Sequence, residues 1–260
     1  FAEARVEAAR CDARLVRDGS DLPPRFGVPC TVKEHFALTG MPQASGLVAR
    51  RDVIARRDAP VVARLRAAGA IPLGVTNTSE LCMWMESNNR VYGRTNNPYD
   101  PRRIVGGSSG GEGAIIGAGG SPLGVGSDVG GSIRLPAFFN GVFGHKPTPG
   151  LVPNTGQVPL PEKGIGRYCV TGPLARRAGD LMPLLAILAG PDGEDPHCQP
   201  ARLGDPGAVD LRQLEVVHVP DNGRIGVRPE LAGAIAAALG TLAPRVRRVR
   251  EVRLPLLKHS

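Results

Sequence analysis

Ser108 and Ser132 each follow a pair of glycines, in Gly106-Gly107-Ser108 and Gly130-Gly131-Ser132, and Lys33 closes the short run Val28-Pro29-Cys30-Thr31-Val32-Lys33. Glycine lets the backbone turn so that successive N–H groups aim at one point, an anion-binding nest. In acyl transfer that point is where the oxyanion of a tetrahedral intermediate forms. A serine hydroxyl at neutral pH is a poor nucleophile and needs a base. Histidine is the usual base, yet none sits beside these serines: His35, His145, His197, His218 and His259 are scattered along the chain. Lysine can take the role where a water-poor site disfavours its ammonium form. Lys33, at the end of an apolar run, stands in such a place.

The elements that must position these groups follow from pattern. Val28, Cys30 and Val32 alternate with Thr31 and Lys33, the period of a strand, which aims Lys33 away from the Val face. Residues from about Phe1 to Arg17 read as a helix stopped by Asp18-Gly19. Asp58 as N-cap, Pro60 in the first turn and Gly69 at the end bracket a second helix, and Ala70–Thr76 reads as a buried strand. Strand, helix, strand with short joins is an α/β signature. Between Gly106 and Gly150 glycine and serine crowd together. The interspersed Ile115, Ile116, Leu123, Val125, Phe138 and Phe139 mark a core loop system rather than a linker. A helix is expected from Asp180 to Leu188, then a polar loop over 192–212. A further helix is expected over Pro229–Leu242, with Leu231, Ile235, Leu239 and Leu242 on one stripe, then a strand over Val249–Leu254. No internal repeat is visible.

With 42% hydrophobic residues in 260, one compact unit is expected. No run of about 18 apolar residues occurs, so neither a spanning helix nor a secretory leader is expected. Phe1 opens directly into a helical pattern, which reads as part of a longer protein, incomplete at its C-terminal side, whose last helix and strand expose apolar surface. The five cysteines, Cys11, Cys30, Cys82, Cys169 and Cys198, are odd in number and lack a C-x-x-C pair. That points to reduced thiols and a cytosol-like compartment, with no zinc site. The net charge is +8, densest at Arg245, Arg247, Arg248, Arg250 and Arg253. Aromatic residues are only 4% of the chain, so this reads as a solvated face rather than a nucleic-acid surface.

Three linked runs sharpen the picture: Gly106-Gly107-Ser108-Ser109-Gly110-Gly111, then Gly126-Ser127-Asp128-Val129-Gly130-Gly131-Ser132-Ile133-Arg134, then Gly144-His145-Lys146-Pro147-Thr148. Ser132 lies 24 residues after Ser108, and Ser108 lies 75 after Lys33. Together they resemble the amidase signature family. The resemblance implies an α/β amidase-signature fold, a mixed central β-sheet covered by helices, of which this is the N-terminal portion: a single catalytic domain over 1–260 with its core motifs in 27–190. It implies that Ser132 attacks an amide carbonyl and becomes an acyl-ester. Ser108, after a cis peptide, relays the proton, and Lys33 is the base and later the acid. Backbone N–H groups of Val129, Gly130, Gly131 and Ser132 would form the oxyanion hole. Cys82 matches a substrate-contacting carbonyl, Ser109 supports the network, and Asp128 and Arg134 are props. No metal and no cofactor are implied.

The wording of Gly27–Glu34, Ser79–Trp84, Gly93–Asp100 and Pro136–Gly141 is similar to the family's fatty-acid amide hydrolase branch. This implies fatty-acid primary amides or N-acyl amines as substrates. It also implies a cytoplasmic or cytosolic-side membrane location, allows a homodimer, and leaves membrane contact to parts absent from this chain. The alternative within the family is a glutaminase subunit that passes ammonia to a partner in tRNA-dependent amidation.

Other readings are weaker. Gly107-Ser108-Ser109-Gly110-Gly111 satisfies G-x-S-x-G with Ser109 central, but that elbow needs a strand directly before it, and Asp100-Pro101-Arg102-Arg103 stands there. Neither nucleotide-binding glycine pattern occurs. Ser127, Glu34, His35 and Glu112 flank the motifs and read as structural. Met83 and Trp84 either line an acyl channel or fill core.

Overall fold

Period-2 and period-3.6 apolar patterns alternate along the chain. The computed structural model, which describes residues 1–19, 21–160, 164–200 and 202–254, turns them into strands and helices. α1 (Ala2–Asp18) leads to β1 (Pro29–Lys33), α2 (Pro60–Ala67) and β2 (Ile71–Thr76). A small ribbon of β3 (Asn88–Asn89) and β4 (Gly93–Arg94) precedes α3 (Gly110–Gly117), β5 (Leu123–Asp128), α4 (Arg134–Phe139) and β6 (Phe143–Gly144). β7 (Val170–Ala175) and α5 (Leu181–Leu188) follow. The main sheet has the order β2-β1-β5-β7-β6. β1 is parallel to both β2 and β5, whereas β7 runs antiparallel to β5 and β6. It is the mixed sheet with covering helices of an α/β fold.

β1 lies between β2 and β5, so both of its edges are paired, and Thr31, Val32 and Lys33 are all within 2% of full burial. Alternation told the faces apart but not that each is covered. α3 packs on β1, β5 and β7, and Ile116 of α3 meets Ile133 and Leu174 in a fully buried cluster.

The stretch expected to be a core loop system holds α3, β5, α4 and β6 instead. Glycine is a weak helix former, but here close approach decides. A side chain at Gly111 would collide with the backbone of Asn77, so only a glycine lets α3 seat against the end of β2. Asp58 does not cap α2, whose N-cap is Ala59. Its carboxylate instead accepts the Thr39 N–H at 2.7 Å and pairs with Arg66 at 2.9 Å.

The chain divides into two compact units, Phe1–Arg202 and Leu203–Ser260. In the second, β8 (Glu215–His218) pairs in parallel with β9 (Arg248–Glu251), and α6 (Pro229–Leu242) lies between them in sequence. Glu215 pairs with Arg248 at 2.8 Å and also with Arg250, so part of the basic stretch is neutralised within the ribbon. α6 buries no residue: Leu231, Ile235 and Leu242 are each more than a third exposed. Among the described residues no helix is long and apolar enough to cross a membrane.

Candidate active site

Lys33 ends β1 with its side chain fully buried and its Nζ donating to Ser108 Oγ at 2.6 Å and to Ser127 Oγ at 3.1 Å. Ser108 follows a cis Gly107–Ser108 peptide and is itself fully buried. Ser87 fixes this turn from outside: its hydroxyl donates to the Ser108 carbonyl at 3.0 Å and accepts the Gly110 N–H at 2.8 Å. Ser109 is also fully buried, with its hydroxyl donating to the Ser127 carbonyl at 3.3 Å. It opens α3 with no strand running into it, so the elbow geometry is absent.

Ser132 lies on the wall of a cavity that Ser108 also lines. Its carbonyl accepts the Ser109 N–H at 3.1 Å, which ties the two serine-bearing turns together. Its half-buried hydroxyl makes no hydrogen bond to Ser108 among the described residues, but Ser108, Ser127 and Ser132 line one cavity of about 480 Å³. Such tightening commonly waits for a bound substrate.

The turn before Ser132 hangs on Asp128 at the end of β5. Its buried carboxylate accepts the N–H groups of Gly131 at 2.8 Å and Ile133 at 3.0 Å, and both the Nε and Nη2 of Arg134 at 3.0 Å. Lys146 lies 3.5 Å away. Burial raises the Asp128 carboxyl, but Arg134 and the backbone donors outweigh it and hold the group at about 2. One of the four expected oxyanion donors, the Gly131 N–H, is therefore engaged. Those of Val129, Gly130 and Ser132 have no protein acceptor among the described residues.

Cys82 reaches the same cavity on strained backbone, with φ of 50° at Leu81 and 60° at Cys82. Such values are unfavourable for side-chain-bearing residues and cluster at functional sites. Leu81 N–H donates to the Ser45 carbonyl at 2.7 Å, which pins the turn. Next to it Met83, Trp84 and Met85 are largely exposed at the cavity rim rather than packed in core.

Three buried titratable groups surround the base. His35, bonded through Nε2 to Gln157 at 3.2 Å, is held well below its ordinary value by burial and by Lys33. Burial raises Glu34, which accepts from Tyr92 Oη at 2.6 Å. Burial also pushes Glu112 up to about 7. Ser127 and Glu112 had both read as structural. The contact of Ser127 with Lys33 depends on β5 pairing with β1, through Thr31↔Gly124 and Val32↔Val125, a register invisible in either strand alone. Among the described residues no group of three or more His, Cys, Asp or Glu side chains could hold a metal ion.

The Amidase family profile matches residues 1–260. The chain is 50% identical over 273 residues to fatty-acid amide hydrolase 2-A of Danio rerio, covering 100% of this chain and 50% of that protein. It is 58% identical over 197 residues to fatty-acid amide hydrolase 2 of Homo sapiens, covering 74% and 37% respectively. A solved structure described as fatty acid amide hydrolase superposes with a TM-score of 0.87 at 29% identity, covering 98% of this chain and 45% of that one. The chain thus spans about half the length, or less, of these relatives.

Proposed function

The chain belongs to the amidase family, and from that premise we propose that it carries the catalytic residues of a serine amidase that works through an acyl-enzyme. The observation that carries this is a buried lysine 2.6 Å from a serine hydroxyl, on a cavity that the second serine also lines. Ser132 Oγ attacks the amide carbonyl carbon and passes its proton to Ser108, whose own proton moves to Lys33. The oxyanion takes the free N–H groups of Val129, Gly130 and Ser132, while Gly131 serves the turn through Asp128 and Arg134. On collapse the C–N bond breaks, and Lys33 returns the proton through Ser108 to the departing amine. Water then cleaves the acyl-ester by the same relay. Cys82 offers its carbonyl to the substrate, and Ser109 holds the two serine turns in register. Residues 1–260 belong to one catalytic domain in this reading.

For the substrate we infer fatty-acid primary amides or N-acyl amines. The identity to fatty-acid amide hydrolases 2 supports it, as do the apolar Met83, Trp84 and Leu160 at the cavity rim. Labelling the full-length protein with a fluorophosphonate and mapping the modified peptide tests the mechanism. Modification of Ser132 is expected, and modification of Ser109 instead would overturn it. Glutamine turnover that needs a second subunit, without turnover of a long-chain amide, would replace the lipid substrate with the amidotransferase role.

A further inference from the structure

Behind the Lys33–Ser108 contact lies a polar cluster that the relay does not use. Glu112, in the first turn of α3, is fully buried and receives one hydroxyl on each carboxyl oxygen. Thr31 Oγ1 of β1 donates to Oε2 at 2.7 Å, and Thr76 Oγ1 of β2 donates to Oε1 at 2.7 Å. β5 closes the remaining side, where a side chain on Gly124 would overlap Oε2. Three neighbouring strands and a helix thus shape a closed niche for one carboxyl group.

The niche faces the base. Thr31 and Lys33 are two residues apart on β1, so their side chains leave the same face of the strand. That face meets α3, which carries Glu112 in its first turn and begins two residues after Ser108. When Lys33 takes the proton of Ser108, a full positive charge appears in a dry interior. An uncompensated buried charge costs several kcal/mol. The other titratable groups around the pair do not offset it: Glu34 is raised by burial and takes its hydrogen bonds from the Tyr92 hydroxyl and the Ala44 N–H. His35, just after β1, is kept neutral by burial and by Lys33 itself. Burial pushes the Cys169 thiol up to about 11 and the Cys30 thiol to about 12, which leaves both uncharged at neutral pH. Asp128 is committed to Arg134 and Lys146.

We propose that Glu112 is a positioning residue for amide hydrolysis: clamped by Thr31 and Thr76, its carboxylate is the buried counter-charge that holds the proton on Lys33 once Ser108 has given it up. The assignment rests on the serine-amidase reading above. Burial pushes Glu112 up to about 7, against the pull of the Thr76 and Thr31 hydroxyls and of Lys33, so the anion forms above that pH. Two hydroxyl donors and no acceptor suit the ionised form.

The test compares wild type, Glu112→Gln, Thr31→Val and Lys33→Ala in the full-length protein. It follows the rate of fluorophosphonate labelling and amide kcat/KM against pH. Gln keeps the shape and can exchange hydrogen bonds with both threonines, whose hydroxyls donate or accept. Removing the anion disfavours the ammonium form of Lys33. The ascending limb in Glu112→Gln should therefore move toward acid by about one pH unit, with a plateau about tenfold lower because the base is weaker. Thr31→Val weakens the ionised form of Glu112 without deleting it, so its limb should shift the same way and less. Rates are normalised to the protein that labels at completion, so a poorly folding variant still reports. A limb and plateau unchanged from wild type, with only the melting temperature lowered, would overturn the role of Glu112. Wild-type labelling in Lys33→Ala would instead overturn the amidase reading beneath it.

Discussion

The two sides of the site are built on opposite plans. On the base side Lys33, Ser108, Thr31, Thr76 and Glu112 are buried, and each side chain has a partner inside the protein. On the nucleophile side residues 129–132 form a turn at the cavity, with Val129 41% exposed and three of the four N–H groups unspent among the described residues. The base side must shelter a charge that appears during reaction. The nucleophile side must keep donors free for an oxyanion that does not yet exist. Asp128 joins the two plans, since its buried carboxylate fixes the turn while spending only the Gly131 N–H of the four.

The contrast can be pressed hardest at Ser132. If the exposed side holds the nucleophile, Ser132→Ala should lower amide turnover by about 10⁴-fold or more, with little change in melting temperature because the half-buried hydroxyl anchors nothing. Equal loss of activity and stability would mean that this side, too, is structural.

Asp128 gives an effect of intermediate size, read as stability against acid. Its folded value of about 2 is depressed from 3.8, so its contribution is fully present above about pH 4 and is lost as pH falls toward 2. A shift of that size is worth about 2 kcal/mol. Wild type should therefore lose roughly that much more unfolding free energy than Asp128→Asn between pH 5 and pH 2. Parallel curves for the two proteins would show that Asp128 is not held ionised by the turn.

A smaller pair of effects separates two adjacent glycines. Gly131 has φ 131°, and a side chain there would press on Leu135, whereas Gly130 has open space around it. Gly131→Ala should cost about 1–3 kcal/mol, and Gly130→Ala well under 1 kcal/mol. Equal melting temperatures would mean that the turn is not set by residue 131.

What the sequence disclosed divides along the same line. Lys33 at a strand end, the glycine pairs before Ser108 and Ser132, and the helix over Leu181–Leu188 were legible, because each is written in local spacing. Helices α3 and α4 were not. The glycines of α3 and the proline of α4 speak against helix locally, and the reason for those glycines is close contact with Asn77, Pro136 and Asn140, distant from α3 in sequence. Ser127 and Glu112 were passed over for the same cause: their partners Lys33, Thr31 and Thr76 come from other strands, and only the β2-β1-β5 order unites them. The engagement of Gly131 by Asp128 depends on a side-chain direction that motif spacing does not encode. β8 was missed because Glu215–His218 is too short and polar to stand out, and it forms by pairing with β9.

The central claim, that Lys33 both takes and returns the proton through Ser108, is tested most directly by paired amide and ester kinetics. Wild type and Lys33→Ala of the full-length protein are compared at several pH values, with a melting curve for each. An amine must leave protonated, whereas an alkoxide departs more readily without help. Lys33→Ala should lower amide turnover by about 10²-fold or more, ester turnover by at least tenfold less, and its residual activity should rise with pH as hydroxide replaces the missing base. An unchanged amide-to-ester ratio, with both activities falling in step with a lower melting temperature, would contradict a catalytic Lys33.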